Sequence, residues 1–138
     1  MADGYLTATM AGLIAALLAD PAVTDLVGDR VVDEPGEGIG FPYIRPDRLE
    51  LVNEDTDGTE GALVQVGLAV HSRPGRSGGR VEAARICERI NSALHRSETL
   101  ICDGFTVVDV EVQTWAVDRA RDGKSYEGRV ALTVRLSA

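Results

Sequence analysis

Rings are scarce in this chain. Aromatic residues make up 4% of its 138 positions, with one Trp, three Tyr and two Phe. The core must therefore be built from Leu, Val, Ile and Ala, and 44% apolar residues suffice for a single domain over 1–138. Cysteine is scarcer still, and two residues in a chain of this length exclude a disulfide framework. Cys87 falls on an apolar stripe and Cys102 in a short apolar run, so both are expected as buried thiols in a reducing compartment. Long hydrophobic runs are missing. The run over 11–19 is too short to span a bilayer and ends at Asp20-Pro21, so no membrane contact is expected. The residues before it include Asp3 and no Lys or Arg, so no secretory leader is expected either. Positive charge is short as well, with a net charge of −8. Residues 1–60 carry 13 acids against 3 Arg, and residues 61–138 carry 9 acids against 11 Lys or Arg. That balance lacks the basic footprint needed to wrap duplex DNA. An acidic half beside a mildly basic half suits head-to-tail contacts between copies, although ordinary solvated surface is the simpler reading of the same charges.

What is present is periodicity. Over 62–96 the chain reads as a strand, a glycine-rich bend and a helix. Ala62, Val64, Val66, Leu68 and Val70 alternate with mixed residues, which buries one face of a strand. Residues 72–79 hold Pro74, Gly75, Gly78 and Gly79 and break it. From Arg80 the period lengthens. Ala83, Cys87, Ile90 and Leu94 recur at helical spacing, flanked by Val81, Ala84 and Ile86, a stripe that can lie on a sheet. Upstream, Leu6, Met10, Leu13, Ile14, Leu17 and Leu18 predict an amphipathic helix. Asp20-Pro21 ends it and starts a short second helix through Leu26, with Asp20 as N-cap and Gly28 as the stop. Arg30-Val31-Val32 predicts a short strand at most. Residues 43–52 predict a strand that Pro46 places at an edge or a bulge, because a central strand needs the missing N–H. The piece 99–102 reads as extended, ending at the Asp103-Gly104 turn.

Residues 105–118 predict the longest strand, about 45 Å if unbroken. Val108, Val110 and Val112 fall on one face, Asp109, Glu111 and Gln113 on the other. Residues 126–136 return with Val130, Leu132, Val134 and Leu136 inward and Arg129, Thr133 and Arg135 outward. A two-residue Asp122-Gly123 turn would set Glu111 opposite Val134 and mix the faces, since a one-residue slip flips every side chain. An odd loop centred on Gly123 is expected instead, with Glu111 across from Arg135 and Gln113 across from Thr133. The predicted fold class is α+β: a mostly antiparallel sheet of four to five strands, two main helices on one face, and a long C-terminal hairpin.

No constellation of side chains reads as chemistry, so no catalytic, cofactor or metal site is assigned. Gly36, Gly38 and Gly40 mimic a nucleotide turn, but Phe41-Pro42-Tyr43 continues as extended chain and not as helix. Asp55, Asp57 and Glu60 miss calcium-loop spacing, and strands flank them where helices should stand. The acidic stretch 53–61 is expected as a mobile, solvated hairpin tip. Gly123-Lys124-Ser125 ends like a phosphate loop, yet Asp118 stands where its first glycine would fall. Cys87 and His95, eight residues apart, diverge by about 80° around a helix, which spoils a triad with Asp103. His71, His95 and the two cysteines have no zinc-ligand spacing. Arg85, Arg89 and Arg96 are expected on one side of their helix, close to Glu82 and Glu88. Trp115 is open between a core anchor and an interface residue.

The order of features resembles the tail-completion or tail-terminator proteins of long-tailed siphophages and related phage-like particles. Three segments carry the resemblance. The first is Leu17-Leu18-Ala19-Asp20-Pro21-Ala22-Val23, followed by Leu26-Val27-Gly28-Asp29-Arg30-Val31. The second is Phe41-Pro42-Tyr43-Ile44. The third is Val66-Gly67-Leu68-Ala69-Val70 with the helix from Ala83-Ala84-Arg85-Ile86-Cys87 to Ala93-Leu94. The closing Arg129-Val130-Ala131-Leu132-Thr133-Val134 also fits. The resemblance implies a structural virion protein without catalysis or cofactor, made in the bacterial cytoplasm. It implies a homo-oligomeric ring, usually a hexamer, that caps the tail tube and joins it to the head-connector (stopper) protein, with DNA crossing the lumen without specific binding. Candidate contacts with other subunits or the tail-tube protein are Glu54, Asp55, Asp57, Glu60, Arg85, Arg89, Arg96, Trp115, Asp122 and Lys124. The alternative is a stand-alone small α+β ligand-binding or enzymatic domain.

Overall fold

The computed structural model describes residues 3–75 and 79–138. It contains helices α1 (Tyr5–Leu18), α2 (Pro21–Val27) and α3 (Arg80–Leu94) and strands β1 (Tyr43–Asn53), β2 (Gly61–Ser72), β3 (Thr106–Arg119) and β4 (Tyr126–Ser137). The strands form one antiparallel sheet in the order β1-β2-β4-β3. Helix α3 lies across β2, β4 and β3, and α1 covers β1 and β2 on the same face. The α+β class and the C-terminal hairpin are those the alternation predicts. Of the bend expected over 72–79, residues 76–78 lie outside the described residues.

The core follows from two periods meeting. Ala62, Val64, Val66, Leu68 and Val70 on β2 and Val130, Leu132, Val134 and Leu136 on β4 are all buried against Ala83, Ile86, Cys87, Ile90 and Leu94 of α3. The contact is close because Gly128 carries no side chain: a Cβ there would stand 2.6 Å from Cys87 Sγ and 3.3 Å from Val70 Cβ. Helix α1 sits rotated from the predicted stripe. Tyr5, Thr9, Leu13 and Leu17 are buried, whereas Leu18 is 39% exposed. This helix is apolar around most of its girth, so periodicity alone cannot fix which side faces inward. Thr9 is tolerated inside because its Oγ1 donates to Tyr5 O at 2.7 Å. At the corner, Asp20 Oδ1 accepts from Ala22 N at 2.9 Å and Val23 N at 3.3 Å, Pro21 opens α2, and Gly28 stops it at φ 61°.

Residues 30–32 make only a bridge. Ile44 N donates to Arg30 O and Val32 N to Ile44 O, which covers the start of the β1 edge. Residues 99–102 form no strand. Pro46 adjoins a bulge at Asp47, where β1 shifts register on β2.

The hairpin departs from the expected register. Ala120 N donates to Ser125 O, so the loop has the four residues 121–124 and is even. Asp109, not Glu111, faces Arg135, and Glu111 faces Thr133. A bulge at Gln113 absorbs the mismatch that the even loop would otherwise cause, and a second at Val108 sets Val107 and not Val108 opposite Leu136. Val110 and Val112 thus stay buried opposite Val134 and Leu132, while Val108, expected beside them, is 55% exposed.

Candidate functional site

The surfaces open to a partner are the two sheet edges, the two sheet ends and the uncovered sheet face. Along the β1 edge, past the bridge at Ile44, Leu49, Leu51 and Val52 are exposed at 37–39%. The β3 edge is stopped in the middle. Arg96 N donates to Val110 O at 2.8 Å, and Val112 N donates to His95 Nδ1 at 3.0 Å, so the turn after α3 occupies the groups a neighbouring strand would use. Arg96 reaches this position with φ 54°. It lies beyond the end of α3, which corrects the expectation that it shares a helix side with Arg85 and Arg89. Its Nε is 3.7 Å from Glu111 Oε1. Arg85 and Arg89 are exposed on α3, and among the described residues neither has an ion pair. Glu82 does not face them as a counter-charge, because its Oε1 accepts from Ser72 Oγ at 2.6 Å. Trp115 lies on the edge strand and is 42% exposed, so it is not a core anchor.

The acidic loop between β1 and β2 is tied down, against the expected mobility. Asp55 N donates to Asn53 Oδ1 at 2.7 Å, Gly61 N to Asp55 Oδ1 at 3.0 Å, and Glu54 N to Gly61 O at 2.9 Å. Glu54 is engaged within the chain. Arg135 donates Nε to Glu54 Oε1 at 2.9 Å and Nη1 to Asp109 Oδ2 at 3.0 Å, bridging the loop to β3 across β4. Sequence reading missed Arg135 as the organiser of this end, since its partners are 81 and 26 residues away. Asp57 and Glu60 are exposed, and Glu60 O accepts from Ala138 N.

At the opposite end, Asp122 Oδ1 accepts from Lys124 N at 2.8 Å and Ser125 N at 3.0 Å. These bonds hold its carboxyl below the ordinary carboxylate range. Asp122 therefore builds the turn that exposes Lys124.

The uncovered sheet face is polar, and three of its arginines are matched by carboxylates. Arg48 pairs with Glu50, Arg129 with Glu127 and Arg135 with Glu54 and Asp109, while Arg45 Nε donates to His71 Nε2 at 3.1 Å. His71 also stacks on Tyr43 with ring centroids 4.7 Å apart, and burial pushes its pKa down. Cys87 and Cys102 are buried free thiols, and burial pushes Cys87 up to about 11. Among the described residues no group of three His, Cys, Asp or Glu could hold a metal ion, and no single helix is long and apolar enough to cross a membrane.

No curated protein matches the chain. A solved structure titled "Virion of native gene transfer agent (GTA) particle" contains a chain of the same fold, with TM-score 0.84 at 18% identity. The alignment covers 99% of this chain and 100% of that one. The family model described as "Tail completion protein gp17" matches residues 11–137. The chain belongs to that tail completion family, and is thus a structural protein of a phage or phage-like virion tail.

Proposed function

We propose that copies of this chain close into a ring, the hexamer that the resemblance implies, which caps the tail tube and joins it to the head connector. The observation that carries this reading is the sense of the two edge strands. Because β1, β2, β4 and β3 alternate in direction, β1 and β3 run opposite ways. A copy added by rotation about an axis along the strands sets its β1 beside its neighbour's β3, again antiparallel, with the turn at His95 and Arg96 standing between the two edges at Val110 and Val112. Alternation then continues from subunit to subunit, and unlike edges meet, which is the heterologous contact a ring requires. The uncovered face lines the lumen, helices form the outer wall, and DNA crosses without specific binding. The rim with Asp55, Asp57 and Glu60 and the rim with Asp122 and Lys124 meet the tail-tube and head-connector proteins.

The test is size in solution by light scattering, alone and with the tail-tube protein. A closed ring is expected in the mixture. A monomer in both conditions would overturn the reading and leave a domain acting alone.

A further inference from the structure

A groove of about 370 Å³ opens between the first turn of α1 and the end of β1, lined by Leu6, Leu51, Asn53, Asp55 and Tyr5 among others. Tyr5 is 7% exposed, stacked on Phe105 at 4.4 Å, and among the described residues its Oη has no hydrogen-bond partner. Such a buried hydroxyl calls for a partner. Burial and then the nearby Asp55 and Glu60 carboxylates raise its pKa above 10.0, so it stays protonated and can donate. On the other sheet edge, Val108 has the opposite needs. It is the extra residue of a bulge, without a ladder partner, and its apolar side chain is 55% exposed.

The sheet registers put the two at one level. Asn53 pairs with Ala62, Ala62 with Leu136 and Leu136 with Val107. One step in, Leu51 pairs with Val64, Val64 with Val134 and Val134 with Val110. Val108 thus lies between the rows of Asn53 and Leu51. Rotation about an axis along the strands carries the β3 bulge of one copy to the groove of the next. Charge agrees. Arg96, bonded through its N to Val110 O in the Leu51 row, stands opposite the groove's rim carboxylates Asp3 and Asp55.

We propose that this groove opens as the socket in which a second copy seats Val108, its bulge backbone reaching the buried Tyr5 Oη and its Arg96 meeting the acidic rim. The proposal rests on the ring reading above and names the contact that closes it. Within one copy Leu51 and Val108 stand at opposite sheet edges, roughly 14 Å apart, beyond the reach of a disulfide at about 7 Å. A Leu51→Cys/Val108→Cys double variant therefore cross-links only between copies, since Cys87 and Cys102 are buried.

With tail-tube protein present, mild oxidation should give a ladder of linked chains ending at the ring. A ring by light scattering without a ladder, or cross-links only to the tube protein, overturns the socket and leaves the ring standing. A monomer of the unaltered chain under the same conditions overturns both. Val108→Asp, at an exposed position, should keep its circular dichroism spectrum yet raise the concentration for half-assembly at least about tenfold. Tyr5→Phe should raise it by a smaller factor. Unchanged assembly of Val108→Asp also overturns the socket.

Discussion

Gly128 decides how closely α3 lies on the sheet. Its missing Cβ leaves room for Cys87 Sγ, which is buried. Gly128→Ala is expected to destabilise the chain by about 1–3 kcal/mol, the usual cost of overpacking. Cys87→Ala should recover part of that loss in the double variant, a coupling that denaturant titration of the four chains measures. Additive losses would show that the strain is in the backbone and not at the thiol. Neither partner announced this in the sequence. Cys87 was legible as a buried thiol from its stripe, but Gly128 looked like any strand glycine, because its neighbour is 41 positions away in the chain.

At the scale of elements, strands and helices were legible because each keeps one period over many residues. Register was not. The valines of β3 and β4 must share a face, and sequence offers an odd loop as the simplest way to arrange it. The chain uses an even loop and two bulges, which leave the alternation of Val110 and Val112 intact and so write no sign of themselves there. The candidate contacts fared similarly. Glu54 and Arg96 read as surface charges, yet each has a partner within the chain.

The plug on β3 carries its own prediction. His95 Nδ1 satisfies Val112 N at an edge that would otherwise offer an unpaired donor. His95→Leu leaves that donor free. Turbidity at high protein concentration should rise in the variant, with helix and sheet content unchanged by circular dichroism. A clear solution would show that the Arg96 backbone bond alone protects the edge.

For the whole molecule, charge and apolar contact would divide the work of assembling the proposed ring. Exposed ion pairs contribute about 0–1 kcal/mol each, so Arg85 and Arg89 can trim a ring but not hold it. Ring formation should weaken with added salt without vanishing. Arg85→Glu/Arg89→Glu should weaken it further at low salt and little at high salt, followed by light scattering with tube protein present. Equal assembly at low salt would remove these arginines from the contact. The matched arginines of the uncovered face bear on a different cargo. A polyanion gains affinity for a surface chiefly by letting small cations escape from its phosphates when protein cations replace them. Arg48, Arg129 and Arg135 already hold Glu50, Glu127, Glu54 and Asp109, so they have little charge left to release those ions. In the proposed ring, a duplex sliding past such a wall would keep most of its own ion atmosphere, so its passage would draw little free energy from the wall.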